Sequence, residues 1–398
     1  MGQLESIRPG SQESFSECYQ VSKQSWAKLT QEEELGHYLA EIRGADPAYQ
    51  ANMRQAWNQL CKPLHSLGVL EDYLAALAAL QRRDLPALRP VGIFCMVADN
   101  GLVAEGVSQC GQEVTSQVLV NMAEGKSTVA IMAQDLGLDL YPVNLGAADY
   151  CVSACPKAGV IEAVVRPQGT RNLLKEAAMT RAECLQALVT GIALAEAAKA
   201  YGYQILIGGE MGIGNTSTSS LLSALLLNLN IEKVCGRGAG LSDQGLDHKK
   251  QVLQVAYDRY ADQLAGQDIT SYLASAGGFD IAALAGLYLG AAHAQTPVIL
   301  DGLISYTAAL VASRYAPEVI DYLLPSHQPR EKCSAAIAQS LGLKPALDLD
   351  LALGEGAGAL FLLPLLDLTY AVFTQMPSFE QGQVEAYEDY ASQDSQQA

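Results

Sequence analysis

Continuous apolar runs of strand length alternate with stretches of helical period along most of the chain. Val91 to Ala98 (VGIFCMVA) is one such run, and it ends in the turn signal Asp99-Asn100-Gly101. Leu138 to Leu145, Tyr203 to Ile207 and Pro297 to Leu300 read as further strands. Runs without polar alternation suit strands buried on both faces, as in parallel sheets. Between them the period changes. Leu70, Tyr73, Leu74, Leu77 and Leu80 repeat at helical spacing after a loop marked by Pro63 and Gly68, with Ser66 placed to cap. Val114 to Met122 and Ser127 to Leu136 read as helices, the second closing at Gly137. Thr180-Arg181-Ala182-Glu183 has the form of a capping box and opens a long helix that stops at Gly202. Ser242 or Asp243 can cap a helix from about Leu246 to Tyr260. Phe279 to Ala292 is helical, a helix follows from Ser305, and Leu323 to Leu343 carries Ser326-His327 and then a helix.

Strands alternating with helices predict an α/β fold: a three-layer, Rossmann-like parallel sheet flanked by helices. Residues 1–50 are polar, with weak apolar periodicity from Trp26 to Ile42, and read as an extension or peripheral helices. Residues 51–90 and the C-terminal helix are expected to pair as a smaller helical lobe. Residues 91–345 form the predicted α/β nucleotide-binding domain, and 346–375 a glycine-rich turn with that helix. From 376 to 398 the chain is acidic and polar, which predicts disorder.

Composition narrows the classes. Of the 398 residues, 49% are hydrophobic and 17% charged, enough apolar content for a large core. The formal net charge of −18 argues against a nucleic-acid or anionic-membrane binder, since both need a basic surface. Nine scattered cysteines, an odd number, fit a reducing cytoplasm better than a disulfide framework. Cys151 and Cys155 are the one close pair and read as reduced thiols, since a metal site wants two more ligands at short spacing. Met1 to Thr30 shows no secretory signal pattern. The apolar stretches Leu284 to Ala312 and Ala357 to Phe373 are broken by His293, Gln295, Asp301 and Asp367, and read as buried elements, not membrane spans.

Candidate chemistry centres on Gly208-Gly209-Glu210-Met211-Gly212-Ile213-Gly214-Asn215-Thr216. Four glycines in seven residues, between a strand and a helix, let backbone N–H groups approach an anion. A P-loop is excluded, because Gly214 is followed by Asn215 and not by lysine. The dinucleotide fingerprint also fails, with Ser217 where its third glycine belongs. On spacing alone, an anion site and a tight structural turn are equally open. Glu210 sits inside this turn, and Glu355 inside a second one, Leu353-Gly354-Glu355-Gly356-Ala357-Gly358-Ala359. A sheltered carboxylate can accept a proton, but either residue alone reads as an acid near a helix N-terminus. Lys249 can meet a phosphate, although a Lys-Lys pair with Lys250 is by default a solvated helix face. Ser326 and His327 are adjacent, which disfavours a nucleophile–base pair. His65 and His293 read as structural.

Taken together the motifs resemble the nicotinate-nucleotide:dimethylbenzimidazole phosphoribosyltransferase family. The resemblance rests first on Gly209-Glu210-Met211-Gly212-Ile213-Gly214-Asn215-Thr216. Lys62-Pro63, Ser66-Leu67-Gly68, Gly106-Val107-Ser108, Gln112-Glu113-Val114-Thr115, Gly236-Arg237-Gly238-Ala239-Gly240-Leu241, Asp301-Gly302, Ser326-His327 and Leu353-Gly354-Glu355-Gly356 then follow in order. Together they cover roughly residues 55 to 372.

The family displaces nicotinate from C1′ of nicotinate mononucleotide with a ring nitrogen of 5,6-dimethylbenzimidazole, giving α-ribazole 5′-phosphate for cobalamin. The resemblance implies that Glu355 is the general base and that Glu210 lies near the ribose or assists. Gly212, Gly214, Asn215, Thr216, Lys249 and Ser326 would hold the nucleotide and its phosphate, with Asp301 near the same pocket. Ser108, Gln112, Gln117 and Leu353 would line the aromatic-base pocket. It implies no cofactor or metal, and a homodimer, while charge and apolar patterning point to the cytoplasm with neither nucleic acid nor membrane as partner.

The chain departs from the family pattern at three points. Asn100 stands where the family has histidine, Gly111 where it has proline, and Leu64-His65 where it has Pro-Gly. These departures predict an altered choice of lower-ligand base: another benzimidazole, a purine or a phenol. A catalytically weak, nucleotide-binding partner subunit is the alternative reading.

Overall fold

The structure is a computed structural model that describes residues 12–150 and 159–387. Six parallel strands form one sheet in the order β3-β2-β1-β4-β5-β6. They are β1 (Val91–Ala98), β2 (Asp139–Gly146), β3 (Ile161–Glu162), β4 (Ile205–Met211), β5 (Val298–Leu300) and β6 (Leu323–Pro325). The α/β expectation therefore holds. Strand order reverses between β1 and β4, and such a reversal opens a crevice at the carboxyl ends of the two strands.

The alternation inside β1 explains the three layers. Phe94, Met96 and Ala98 join a core with the helices Arg181–Tyr201, Phe279–His293 and Leu303–Tyr315. Ile93, Cys95 and Val97 face the other way, into a core shared with Val69–Gln81, Thr128–Asp135 and Leu362–Gln375. Both faces are dry, which is why these strands read as unbroken apolar runs. Leu362, Leu363 and Leu366 of the apolar C-terminal helix are buried in this second core.

Local signals place several ends as expected. Thr180 and Glu183 form the capping box of Arg181–Tyr201, and Gly202 ends it in the left-handed region. Ser127 caps Thr128–Asp135, and Ser242 caps Asp243–Leu264. Other readings are corrected. Gly208 to Met211 belong to β4 and not to a turn, because neighbours lie flat against both glycines. A Cβ on Gly208 would sit 2.9 Å from Leu284 and Tyr288. Ser66 caps nothing: Gly68 occupies the cap, and the Glu71 carboxylate accepts the Leu67 N–H at 2.9 Å and Lys62 Nζ at 2.7 Å. Strands β3 and β6, two and three residues long, are not expected from the sequence pattern.

Residues 12–50 contribute to the core. Helix Gln12–Trp26 inserts Phe15, which is fully buried against Phe94, Tyr141 and Tyr201 at ring distances of 5.4, 4.4 and 5.5 Å. The disorder expected from Met376 is corrected over 376–387. Ser378 pairs with Leu60 and caps the short helix Phe379–Gly382, whose Phe379 is buried. Residues 388–398, and the pair Cys151 and Cys155, lie outside the described residues.

Phe15→Ala leaves a cavity among four aromatic rings. It is expected to lower the unfolding free energy by about 3–5 kcal/mol in urea titrations. A loss below ~1 kcal/mol would mean that the helix packs loosely.

Candidate active site

The crevice at the carboxyl ends of β1, β4 and β5 holds a cavity of about 520 Å3. Loops from distant parts of the chain line it, among them Val107–Cys110, Met211–Thr216, Arg237–Ala239 and Leu351–Glu355. The loop at Glu355 is the most constrained. Gly354, Glu355 and Gly356 have φ of +94°, +64° and +91°, three consecutive left-handed residues. Glu355 is not glycine, so this conformation stores strain that its surroundings must hold.

Four contacts hold it. The Glu355 N–H donates to the Glu210 carbonyl at 3.0 Å. The N–H groups of Gly356 and Gly358 donate to the two oxygens of Asp301, at 3.0 and 2.8 Å. The Glu355 carbonyl lies directly on Gly209, where a Cβ would stand 2.2 Å from its oxygen. The side chain is also placed: Glu355 Oε2 accepts the Val129 N–H in the first turn of Thr128–Asp135, at 3.3 Å.

Glu210 stands at the end of β4 on the cavity wall. Its Oε2 accepts from the Asn215 amide, which also donates to Asp280 Oδ2 at 3.1 Å. Burial, then the charges of Asp280 and Asp301, push the Glu210 carboxyl well above the usual range. Burial pushes Asp301 up to about 7 against the N–H groups it accepts, and Asp280 up to about 6. Burial also lowers His327 to about 4, so this cavity-lining imidazole is neutral.

The cavity has two characters. Gly212 to Thr216 lead into the helix Asn215–Leu227, which no side chain caps, and an uncapped helix start favours an anion. Behind it lies Lys249, fully buried, with Nζ 3.1 Å from Thr216 Oγ1. Burial lowers the pKa of Lys249. On another side Val114, Val118, Met132, Leu353 and Phe361 make an apolar wall beside Ser108.

Of the residues expected at the site, Glu210, Gly212, Gly214, Asn215, Thr216, Asp301, Ser108, Leu353 and Glu355 line the cavity. Lys249 stands one layer behind through Thr216, and so is not on a solvated face. Ser326 is fully buried off the cavity; its hydroxyl donates to the Leu300 carbonyl at 2.6 Å and lies 2.8 Å from His327 Nδ1. The two neighbours do face one another, but the hydroxyl proton is already committed, and His327 is the one at the cavity. Gln112 reaches the Asn100 carbonyl, and Gln117 is exposed on Glu113–Ala123; neither lines the cavity. Asn100 is buried beneath the glycine loop, accepting from Thr218 Oγ1 at 2.9 Å, and does not line it either.

The sequence reading missed Arg237, Glu331, Phe361 and the lining role of His327. Arg237 lies inside a glycine loop that was in view. Glu331 and Phe361 carry no local signal, and neither does Asp280.

A phosphoribosyltransferase family model, DBI_PRT, matches residues 42–384. The chain belongs to this family. A nicotinate-nucleotide–dimethylbenzimidazole phosphoribosyltransferase from Acetivibrio thermocellus is 38% identical over 331 residues, 83% of this chain and 92% of its own length. One from Geobacter sp. strain M21 is 38% identical over 346 residues, 87% of this chain and 97% of its own. The crystal structure of CobT from Thermus thermophilus superposes with a TM-score of 0.80 at 37% identity, covering 86% of this chain and 100% of that one. The match to these relatives and structures agrees with the α/β fold described above.

The buried carboxyls set a pH dependence. Asp280 and Asp301 hold protons to about 6 and about 7 when folded, but would release them near ~4 in an unfolded chain. Between those limits the folded chain binds more protons, so its stability falls as pH rises through the window. Urea titration is expected to give a lower unfolding free energy at about pH 7 than at about pH 5, with a flatter slope in Asp301→Asn. Equal slopes in the two proteins would remove Asp301 from this role.

Proposed function

We propose that the chain transfers the ribose 5-phosphate of nicotinate mononucleotide to 5,6-dimethylbenzimidazole or a related lower-ligand base of cobalamin. The products are nicotinate and the α-ribazole 5′-phosphate. The observation that carries this reading is the Glu355 turn, a carboxylate fixed at the junction of an anion-favouring loop and an apolar wall. Membership of the phosphoribosyltransferase family supports it.

In this reading the phosphate lies at the Gly212–Thr216 loop, on the N-terminus of Asn215–Leu227 and backed by Lys249. A dianion there offsets the burial that disfavours the charged lysine. The flat base packs against Val118, Met132, Leu353 and Phe361, with Ser108 at its edge. A base ring nitrogen attacks C1′ from the face opposite nicotinate, and the configuration inverts. The C1′–N bond electrons return to the pyridinium nitrogen, which leaves neutral. The N–H proton of the base passes to Glu355. Holding both reactants in line supplies much of the rate.

The protein is proposed to work as a homodimer in the cytoplasm. Phe361 and Leu368 are 44% and 66% exposed, and with Leu365 and Val372 they form a helical stripe beside the cavity. A second copy of the chain is the occupant this stripe fits. Sedimentation at monomer mass across working concentrations would rule that out. The seven described cysteines are free thiols, in keeping with a reducing compartment.

The reaction is tested by following nicotinate release chromatographically. Glu355→Gln is expected to lower turnover by about 10²- to 10⁴-fold while nicotinate mononucleotide still binds. Unchanged turnover would take the base role from Glu355, and failure of the wild type to release nicotinate with any azole or phenol would end the enzyme reading. A mixture of bases is expected to show acceptance beyond 5,6-dimethylbenzimidazole. Strict preference for that base alone would reject an altered choice.

A further inference from the structure

Glu210 and Glu355 both face the cavity, yet one proton acceptor is enough for the proposed transfer. The surroundings of Glu210 separate their roles. Asn215 has a single amide nitrogen, and its two hydrogens are divided between Glu210 Oε2 and Asp280 Oδ2. Asp280 is fully buried, opens the fifteen-residue helix Phe279–His293, and accepts the Ile281 N–H at 3.0 Å. It therefore has both a helix N-terminus and backbone support for a negative charge. Glu210 has only its share of Asn215.

The other groups facing this pair are Asp301, Glu355 and the thiol of Cys95, which burial keeps protonated. Among the described residues no lysine or arginine forms an ion pair with Glu210, Asp280, Asp301 or Glu355. Two adjacent carboxylates in a dry site cannot both stay ionised without a cation.

We propose that Asp280 is a positioning residue that, as a fixed negative charge sharing the Asn215 amide, keeps Glu210 protonated as a hydrogen-bond donor and leaves Glu355 as the proton acceptor. The neutral Glu210 offers an O–H to an oxygen of the bound nucleotide and sets no charge against its phosphate. Burial and neighbouring acids already push the Glu210 carboxyl upward, in the same direction. This inference deepens the reaction proposed above and rests on it for the identity of the substrate.

Two measurements test it. Infrared difference spectra of wild type against Glu210→Gln at neutral pH should show loss of a protonated-carboxyl band. Loss of an ionised-carboxylate band would overturn the proposal. This arm needs no turnover, so it fails independently of the reaction. The pH profile of nicotinate release is the second. Glu210 must stay protonated, so activity is lost as pH rises through its ionisation. Asp280→Asn removes the repelling charge and should move that basic limb down by about one unit, a tenfold change in proton concentration. Asn215→Ala removes the one donor that favours the anion and should move it up. Mere structural damage would lower activity without shifting the limb in opposite directions. If Asp280→Asn does not fold, the infrared comparison and Asn215→Ala still decide the matter, and an unmoved limb there rejects the proposal.

Discussion

Backbone pressed on backbone at Gly209 is the contact on which the site depends. The carbonyl of Glu355 rests where any side chain on that strand residue would have to be. It brings a turn from the far end of the chain onto the carboxyl end of β4 and aims its carboxylate at the first turn of Thr128–Asp135. The turn keeps three left-handed residues in a row only because Asp301 and the Glu210 carbonyl take up its N–H groups. Strain of roughly 1–3 kcal/mol at such a residue persists when its surroundings over-determine it.

The same packing concentrates acids. Glu210, Asp280, Asp301 and Glu355 come from β4, two loops and a helix start, and meet as one buried cluster. Such a cluster weakens the fold as it ionises. Burial pushes Asp280 and Asp301 upward even where backbone N–H groups favour the charge, and it pushes Glu210, which has the fewest donors, well above the usual range. Repelling acids lower stability, but under the proposal above they keep Glu210 as a donor beside Glu355 as the acceptor.

The crevice itself follows from strand order. Reversal between β1 and β4 sends the following helices to opposite faces and leaves the strand ends uncovered. Loops from about residue 107 to residue 361 then close over one gap, so anion-favouring and apolar surfaces adjoin without being neighbours in sequence.

Much of this was legible in the chain. Unbroken apolar runs such as Val91 to Ala98 announced buried parallel strands, and Thr180, Ser127 and Ser242 marked helix starts, because both signals are local. The motif order exposed Glu210, Glu355 and the glycine loop. The Lys249-Lys250 pair by itself reads as a solvated face and the segment of Phe15 as peripheral, because burial depends on which distant surface arrives: Thr216 for Lys249, the Tyr141 and Tyr203 rings for Phe15. Ser326 offers a hydroxyl in the sequence, yet in the fold that hydroxyl already donates to the Leu300 carbonyl. Gln117 shares a helix with Val114 and Val118 but points outward, a matter of helix rotation that motif spacing does not report. Sequence by itself determined the element types and the residues able to do the chemistry, since backbone preference and side-chain chemistry are properties of each residue. Only tertiary structure decided which acids meet and which of them keeps its proton, since desolvation and charge coupling exist only between groups that folding brings together.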